Sequence, residues 1–174
     1  MLTEGDTYEE QTAGGEVLRL RADVRALVEP DQLEEWLGHQ VGWAEVDSLC
    51  QSTFPAEQLL ARWPDWKELI RRLSESENIN QRRAALVLLT GPVTRSADPR
   101  LSELAFSVID RLAPERPILI TKAVSWLLRC LVKTHRDEVQ GYLDAKGGEL
   151  PAIAVRETRT LLATGTKSGR SRRG

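Results

Sequence analysis

Two side chains that could take part in chemistry lie four positions apart between Val41 and Cys50, where Trp43 precedes Asp47. This spacing predicts that both lie on one face of a helix. Asp47 falls at the edge of the inward-facing stripe, where a carboxylate would be partly desolvated and hard to leave unpaired. The alternative is a core tryptophan beside a solvated aspartate. On a helical wheel the inward-facing stripe consists of Val46, Leu49, Cys50 and Thr53.

A basic stripe occupies one side of the helix predicted from Ile118 to Lys133. The other sides of this helix are apolar, so its polar positions form a separate face. The cations could neutralise phosphates, and an indole ring offers a flat apolar face to a sugar or a base. The alternative is a solvated face on which a tryptophan lies along a lysine side chain. The stripe consists of Lys122, Trp126, Arg129 and Lys133.

Arg83 lies between Ile79, Leu86 and Thr90 on its helical wheel, which directs the guanidinium at the interior or at a cleft. The alternative is a structural arginine paired with a neighbouring glutamate. Together, the cations, the tryptophans and Asp47 would suit a concave surface that binds a nucleic-acid backbone. A carboxylate weakens the binding of DNA, so Asp47 would need a different purpose there.

The usual signatures of enzymes are missing from the sequence. It contains no Gly-rich phosphate loop and no HExxH motif, and we expect neither a metal nor a cofactor. His39 and His135 fall in predicted turns, where we expect both to be exposed. The two cysteines, Cys50 and Cys130, fall at inward-facing positions and are predicted to be small core residues. This cysteine usage, with no signal peptide and no apolar run of membrane-spanning length, predicts a cytoplasmic protein.

The elements that must hold these side chains are predicted to be helices, since no segment shows the alternation typical of a strand. We predict one helix from Glu16 to Val28, another that starts at Pro30, and a loop from Gly91 to Pro99. Frequent turns favour short antiparallel hairpins stacked in an all-α solenoid of the HEAT or armadillo type. A compact helical bundle is the alternative.

The 174 residues suffice for one domain or for a short array of repeats. We predict a flexible N-terminal segment over residues 1–14, a HEAT-like repeat domain over 15–164 and a basic disordered tail over 165–174. The net charge of -2 averages an acidic N-terminal end with this basic tail. Net charge is therefore a poor guide to binding partners here.

Four segments resemble the successive motifs of the DNA alkylation repair family, which are HEAT-like repeat DNA glycosylases of the AlkD type. They occur in the family's order and span most of the chain, from near Val28 to Lys167. The specific parts are the pair W-x-x-x-D and the motif K-A-x-x-W-x-L-R. The segments are Trp43-Ala-Glu-Val-Asp-Ser-Leu-Cys, Ser76-Glu-Asn-Ile-Asn-Gln-Arg-Arg-Ala-Ala, Lys122-Ala-Val-Ser-Trp-Leu-Leu-Arg and Val155-Arg-Glu-Thr-Arg.

The resemblance implies an enzyme that excises purines made cationic by alkylation, such as N3-alkyladenine and N7-alkylguanine, from double-stranded DNA without flipping the lesion into a pocket. Asp47 would take the position of the catalytic carboxylate, and Trp43 and Trp126 those of two aromatic walls. Arg83 would take the position of the arginine that holds the DNA backbone at the lesion. The remaining DNA-binding positions would be Lys122 and Arg129, which match motif positions, together with Lys133 of the same stripe.

The sequence leaves two other functions open. One is a non-catalytic HEAT-repeat module, derived from the same family, that binds DNA or protein. The other is a protein-interaction solenoid that uses the groove for a peptide. We expect the protein to be a monomer, and we expect the chain to lack early helical repeats that longer members of the family have.

Overall fold

The computed structural model describes residues 8–168, in which helices are joined by turns. Eleven helices lie within that range, so the prediction of an all-α protein is confirmed. In chain order they are α1 (Tyr8–Leu20), α2 (Ala22–Arg25), α3 (Pro30–Gly38), α4 (Trp43–Cys50), α5 (Ala56–Ala61), α6 (Trp63–Glu75), α7 (Ile79–Arg95), α8 (Pro99–Leu112), α9 (Ile118–Leu131), α10 (Arg136–Lys146) and α11 (Ala152–Thr164).

The helices form two layers in which sequential helices pair. An inner row contacts in the order α1, α4, α7, α9 and α11. An outer row contains α3, α6, α8 and α10, and each of α6, α8 and α10 packs on the inner helix that follows it in the chain. Helices α2 and α5 are short connectors. This stacking of hairpins is the predicted HEAT-like solenoid rather than a compact bundle.

Helices α4, α7 and α9 of the inner row run in the same direction. Near the N-terminal ends of α4 and α7, Asn80 Nδ2 donates to the carbonyl oxygen of Gln40 at 3.0 Å. Near the C-terminal ends of α7 and α9, the hydroxyl of Thr134 donates to the carbonyl oxygen of Val93. Ends of the same polarity therefore lie side by side, and equivalent faces of these three helices lie on one surface.

Helix α7 is the centre of the core, and every residue from Arg83 to Val93 is buried. The sequence predicts a loop from Gly91 to Pro99, and this prediction is wrong for residues 91–95, because α7 continues to Arg95. Pro92 lies inside the helix, where it removes a hydrogen bond to the preceding turn. Packing of α4, α6, α8 and α9 around α7 stabilises the helix across that position.

Helix α1 begins at Tyr8, inside the segment 1–14 that the sequence predicts to be flexible. It packs closely against α4, where a Cβ atom on Gly15 would clash with the carbonyl oxygen of Ser48. Gly15, the first residue after that segment, allows α1 and α4 to approach closely.

The helix predicted from Glu16 to Val28 is divided, since α1 ends at Leu20 and α2 begins at Ala22. Arg21 between them has φ −108° and ψ 88°, outside the helical region. Two of the apolar residues whose spacing predicted one helix lie on the surface, since Leu20 and Leu27 are 76% and 78% exposed. An apolar repeat without a core beneath it gives a helix little tertiary support.

Residues 1–7 and 169–174 lie outside the described residues, and with them part of the predicted N-terminal segment and most of the predicted basic tail. The last helix ends at Thr164, and Gly165 follows it in the left-handed conformation with φ 73°. Glycine adopts this conformation at a helix end without steric cost. Between residues 8 and 168, no helix combines the length and the apolar character needed to cross a membrane.

A close contact between α7 and the turn after α4 fixes the inner layer near the C-terminal ends of both helices. A Cβ atom on Gly91 would lie 2.9 Å from the Cα atom of Ser52, closer than side chains tolerate. Ser52 has φ 56°, a left-handed conformation that costs a residue with a side chain about 1 kcal/mol or more. Tertiary contacts therefore hold a strained turn beside the helix.

Replacing Gly91 with alanine should destabilise the fold, because the new methyl group must push α7 away from the backbone of Ser52. We expect Gly91→Ala to lower the free energy of unfolding by about 1 to 3 kcal/mol, as overpacking does, when measured by urea denaturation. Gly141→Ala in α10 is the matched control, since its Cβ would meet no atom within 4 Å. Equal stability of the two variants would contradict the close contact.

Candidate functional site

The centre of the candidate site is an ion pair between Asp47 in α4 and Arg83 in α7. Arg83 Nε donates to Asp47 Oδ1 at 2.9 Å, and Arg83 Nη2 donates to Asp47 Oδ2 at 2.7 Å. This two-point contact is the strong geometry for a guanidinium and a carboxylate. The side chain of Arg83 is 7% exposed and that of Asp47 is 15% exposed. The structure therefore gives Arg83 an aspartate rather than a glutamate as its partner, and it does not leave Asp47 solvated.

Arg83 also connects α7 to α9, since its Nη1 donates to the carbonyl oxygen of Leu119 at 2.7 Å. One guanidinium thus joins three inner helices. The position of Arg83 follows from the start of α7, where the side chain of Asn78 accepts a hydrogen bond from Asn80 N at 2.9 Å and caps the helix. This cap fixes where the helix begins and so which face carries the arginine.

The two tryptophans predicted to flank the site differ in exposure. Trp43 is the first residue of α4 and is 56% exposed. It lies one helical turn before Asp47, on the same side of the helix. Trp126 is half-buried in the middle of α9 and packs against the core. The alternative of a core position therefore fails for Trp43, whose ring is open to a ligand.

The three predicted DNA-binding cations of the basic stripe are placed differently. Lys122 is exposed, lines a cavity together with Arg83, and makes no ion pair with any residue that the structure describes. Arg129 lines the same cavity, with its Nε 3.3 Å from Oε2 of Glu157 in α11. Lys133 is exposed beyond the end of α9 and away from that cavity. The structure brings Lys122 and Arg129 together and leaves Lys133 apart.

Glu157 is an ionisable residue of this surface that helical periodicity does not single out. It accepts a hydrogen bond from Ser125 Oγ at 2.7 Å, and Lys167 Nζ lies 3.4 Å from its other oxygen. Burial alone would raise the pKa of Glu157, but the Ser125 hydroxyl, Lys167 and Arg129 outweigh burial and hold the pKa below its usual value. The glutamate therefore stays ionised and restrains Arg129 at the edge of the cavity.

Two open cavities meet at the Asp47–Arg83 pair. The first, the Asp47 cavity, has a volume of about 460 Å³ and lies between α1, α4 and the C-terminal end of α7. The second, the Arg83 cavity, has a volume of about 340 Å³ and lies between α7, α9 and α11. Asp47 lines the first cavity and Arg83 lines the second. The ion pair is thus the wall that separates them.

The cysteines do not provide an activated nucleophile. Burial raises the pKa of the Cys50 thiol and that of the Cys130 thiol, which disfavours the reactive thiolate in both. Cys50 is buried as the sequence predicts, whereas Cys130 is half-buried. Among residues 13–168, whose side chains the structure describes, no three His, Cys, Asp or Glu residues gather into a group that could hold a metal ion.

The histidines were both predicted to be exposed, and one of them is not. His39 is exposed, but His135 has 3% of its surface exposed. Its Nε2 lies 3.0 Å from the carbonyl oxygen of Ser96, and its Nδ1 lies 3.0 Å from the carboxylate of Glu138. The turn between α9 and α10 folds against the end of α7, which buries the ring and gives it a structural role.

Comparison with known proteins identifies one family. The family model described as DNA alkylation repair enzyme matches residues 1–162 of the chain. This range contains the inner helices α1, α4, α7 and α9, most of α11, and all the residues predicted for the site. No curated protein matches the chain.

A double-mutant cycle should detect the Asp47–Arg83 pair as a strong coupling. Asp47→Asn leaves a largely buried guanidinium without its counter-charge and should lower the free energy of unfolding by about 2 kcal/mol or more. Adding Arg83→Gln should recover part of that loss, with a coupling energy of about 1 to 3 kcal/mol. The exposed pair Arg71–Glu68, with side chains 48% and 47% exposed, is the control, and we expect it to show little coupling.

The lowered pKa of Glu157 predicts that its contribution to stability depends on pH. The folded state favours the ionised carboxylate, so the stabilisation is present above the usual glutamate pKa and is lost as the pH falls through the lower, folded value. The melting temperature of the wild type should therefore fall more than that of Glu157→Gln between about pH 7 and about pH 3. Glu103→Gln, at an exposed position of α8, is the control. A parallel decline of wild type and Glu157→Gln would refute the assignment.

Proposed function

Because the chain belongs to the DNA alkylation repair enzyme family, we propose that it is a monofunctional DNA glycosylase that hydrolyses the N-glycosidic bond of alkylated purines in double-stranded DNA. The substrates are bases made cationic by alkylation, such as N3-alkyladenine and N7-alkylguanine. The observation that carries the proposal is a single carboxylate, Asp47, held between two cavities and one turn away from the exposed ring of Trp43. The protein would act as a monomer and would use neither a metal nor another cofactor.

The leaving base needs no general acid in the proposed reaction. An N-alkylated purine carries a positive charge, and the electron pair of the breaking glycosidic bond neutralises it, so the base departs without a proton donor. Water forms the new bond to C1′ of the deoxyribose and releases a proton. Positive charge develops on the sugar in the transition state, where a fixed carboxylate and an aromatic face can stabilise it.

The charge of Asp47 is large enough to matter for the rate. Two opposite unit charges about 4 Å apart interact by roughly 4 kcal/mol at an effective dielectric constant near 20. If the full interaction arises only in the transition state, it corresponds to about three powers of ten in rate. The partial burial of Asp47 supports this estimate, because bulk water would screen the charge much more strongly.

Arg83 would have two roles in this proposal. Its two-point contact fixes the plane of the Asp47 carboxylate, and an oriented charge needs no reorganisation during the reaction. A guanidinium has five N–H groups, and the remaining ones would serve a phosphate that enters the Arg83 cavity. Such a phosphate would share the positive charge of Arg83 and so strengthen the field of Asp47 at the sugar.

The other predicted residues would hold the DNA around this pair. Trp43 and Trp126 would lie against the sugar or the alkylated base, where a cation next to an indole ring gains about 0.5 to 2 kcal/mol. Lys122 and Arg129 would neutralise phosphates in the Arg83 cavity. Lys133 would contact the backbone farther along the strand, because it is exposed outside that cavity.

A non-catalytic DNA-binding module is the second candidate function, and one observation favours it. Arg83 engages both carboxylate oxygens of Asp47, and a carboxylate neutralised in this way throughout would stabilise no cation. Such a protein would bind duplex DNA with an affinity that falls steeply with salt, but it would release no base. An affinity that does not change with salt would indicate a protein partner instead.

We expect the wild type to release methylated purines from methylated duplex DNA at low salt, and Asp47→Asn to release them about a thousandfold more slowly, because the stabilising charge is lost. Release is measured by chromatography of the free bases. Asp65→Asn on the outer helix α6 is the charge-matched control, and Ile70→Val in the core of α6 controls for lost stability. No release by the wild type would refute the glycosylase, and equal release by Asp47→Asn would refute the role of Asp47.

A further inference from the structure

A second group of arginines lines the Asp47 cavity, on the far side of the ion pair from Lys122 and Arg129. The group consists of Arg19 from α1, Arg25 from α2 and Arg95 from the end of α7. Arg19 and Arg25 are close in sequence, but Arg95 is far from both, so the fold brings it to the same cavity. None of them was among the residues predicted to bind a ligand.

The carboxylates of the same cavity are already paired. Glu16 pairs with Arg19 within α1, and Asp47 pairs with Arg83 across the wall. These are the two acidic residues that line the cavity. Arg25 and Arg95 are therefore left without a carboxylate partner among residues 13–168, and the cavity carries a surplus of positive charge next to Asp47.

The two unpaired arginines are available to a ligand in different ways. Arg95 is exposed in the last turn of α7. Arg25 is half-buried, with its Nη1 3.5 Å from the carbonyl oxygens of Leu18 and Arg19 at the end of α1, which is the limit of hydrogen bonding. Both guanidinium groups retain N–H donors that no described residue uses.

Two buried polar atoms belong to residues that line the Asp47 cavity. Thr53 Oγ1 and Arg25 Nε are buried and have no hydrogen-bond partner within the described part of the chain. Unpaired buried polar atoms are uncommon in native proteins, and each calls for an explanation. A cavity with spare donors and surplus positive charge suits a ligand that brings several acceptor oxygens and a negative charge.

We propose that the Asp47 cavity binds a phosphodiester of the DNA strand, on the opposite side of Asp47 from the phosphates that Lys122 and Arg129 would hold. This inference rests on the proposed function and adds a second contact region for the same ligand. Arg25 and Arg95 supply the charge, and guanidinium groups match the geometry of phosphate oxygens. A strand that occupies both cavities must cross the wall formed by Asp47 and Arg83. Phosphates held on both sides would fix the sugar between them beside the carboxylate.

A purely structural role for the same arginines makes the opposite prediction. Both lie near the C-terminal ends of helices, where a cation interacts favourably with the helix dipole. Removal of a charge that serves only the helix lowers stability and leaves DNA binding unchanged. Removal of a phosphate contact weakens DNA binding and leaves the melting temperature nearly unchanged. Measurement of both quantities in the same variants separates the two roles.

The test is the binding of an unmodified DNA duplex by Arg95→Gln, measured by fluorescence anisotropy over a range of salt concentrations. We expect the slope of log K against log salt to become shallower by about 0.9, and the Kd to rise about threefold to tenfold, as for one lost phosphate contact. Arg95→Lys keeps the charge and should keep the wild-type slope. Arg111→Gln, at an exposed position of the outer helix α8, is the charge-matched control and should bind as the wild type does.

A second measurement locates the phosphate. Binding of Arg95→Gln and of Lys122→Gln is measured with duplexes that carry one alkylated purine, which sets the register, and one uncharged methylphosphonate linkage whose position is varied. The linkage that removes the effect of Arg95→Gln should lie on the other side of the lesion from the linkage that removes the effect of Lys122→Gln. A single linkage that removes both effects would overturn the assignment of two separate subsites.

The outcomes distinguish this inference from the proposed function. Wild-type binding with an unchanged slope in Arg95→Gln overturns the phosphate site and leaves the glycosylase proposal intact. Normal binding that depends on Arg95, but without release of methylated purines, supports the phosphate site and overturns the glycosylase. Absence of any duplex binding by the wild type at low salt overturns both.

Discussion

The buried pair of Asp47 and Arg83 is the constraint on which the candidate site depends. Burial of two charges costs free energy unless ion pairing and hydrogen bonds replace their hydration. Removal of either partner leaves the other as an unpaired buried charge. Arg83 meets this demand with both oxygens of Asp47 and with the carbonyl oxygen of Leu119. Because these groups belong to α4, α7 and α9, the pair fixes how the three helices are aligned. Trp43 and Lys122 are consequently held on the same surface.

The pair also weakens the charge on which the proposed reaction depends. Asp47 is useful as an anion, yet its counter-charge lies at hydrogen-bonding distance in the free protein. Arg83 also lines a second cavity with three further cations, Lys122, Arg129 and Lys167. A phosphate bound there would interact with the guanidinium of Arg83. Binding of the DNA backbone would then return effective charge to Asp47 where the sugar cation forms. In this proposal, binding and catalysis share one arginine.

Helical periodicity and turn residues sufficed for the fold class and for the stacking of hairpins. They failed where packing overrides local preference. Pro92 continues α7 because neighbouring helices surround it. His135 is buried because a later turn folds against the end of α7. Each error concerns a residue whose local signal is a turn or a break, whereas its neighbours in space are far away in sequence.

The sequence by itself determined which residue types lie on which helix faces: a carboxylate at the edge of an apolar stripe, an arginine directed inward, and cations in register with a tryptophan. It also carried the motifs of a family whose model matches residues 1–162. Only the tertiary structure decided that Asp47 and Arg83 face each other, that Glu157 restrains Arg129, and that two cavities meet at one ion pair. Helical spacing fixes the direction of a side chain on its own helix, but partners across helices depend on how the helices pack.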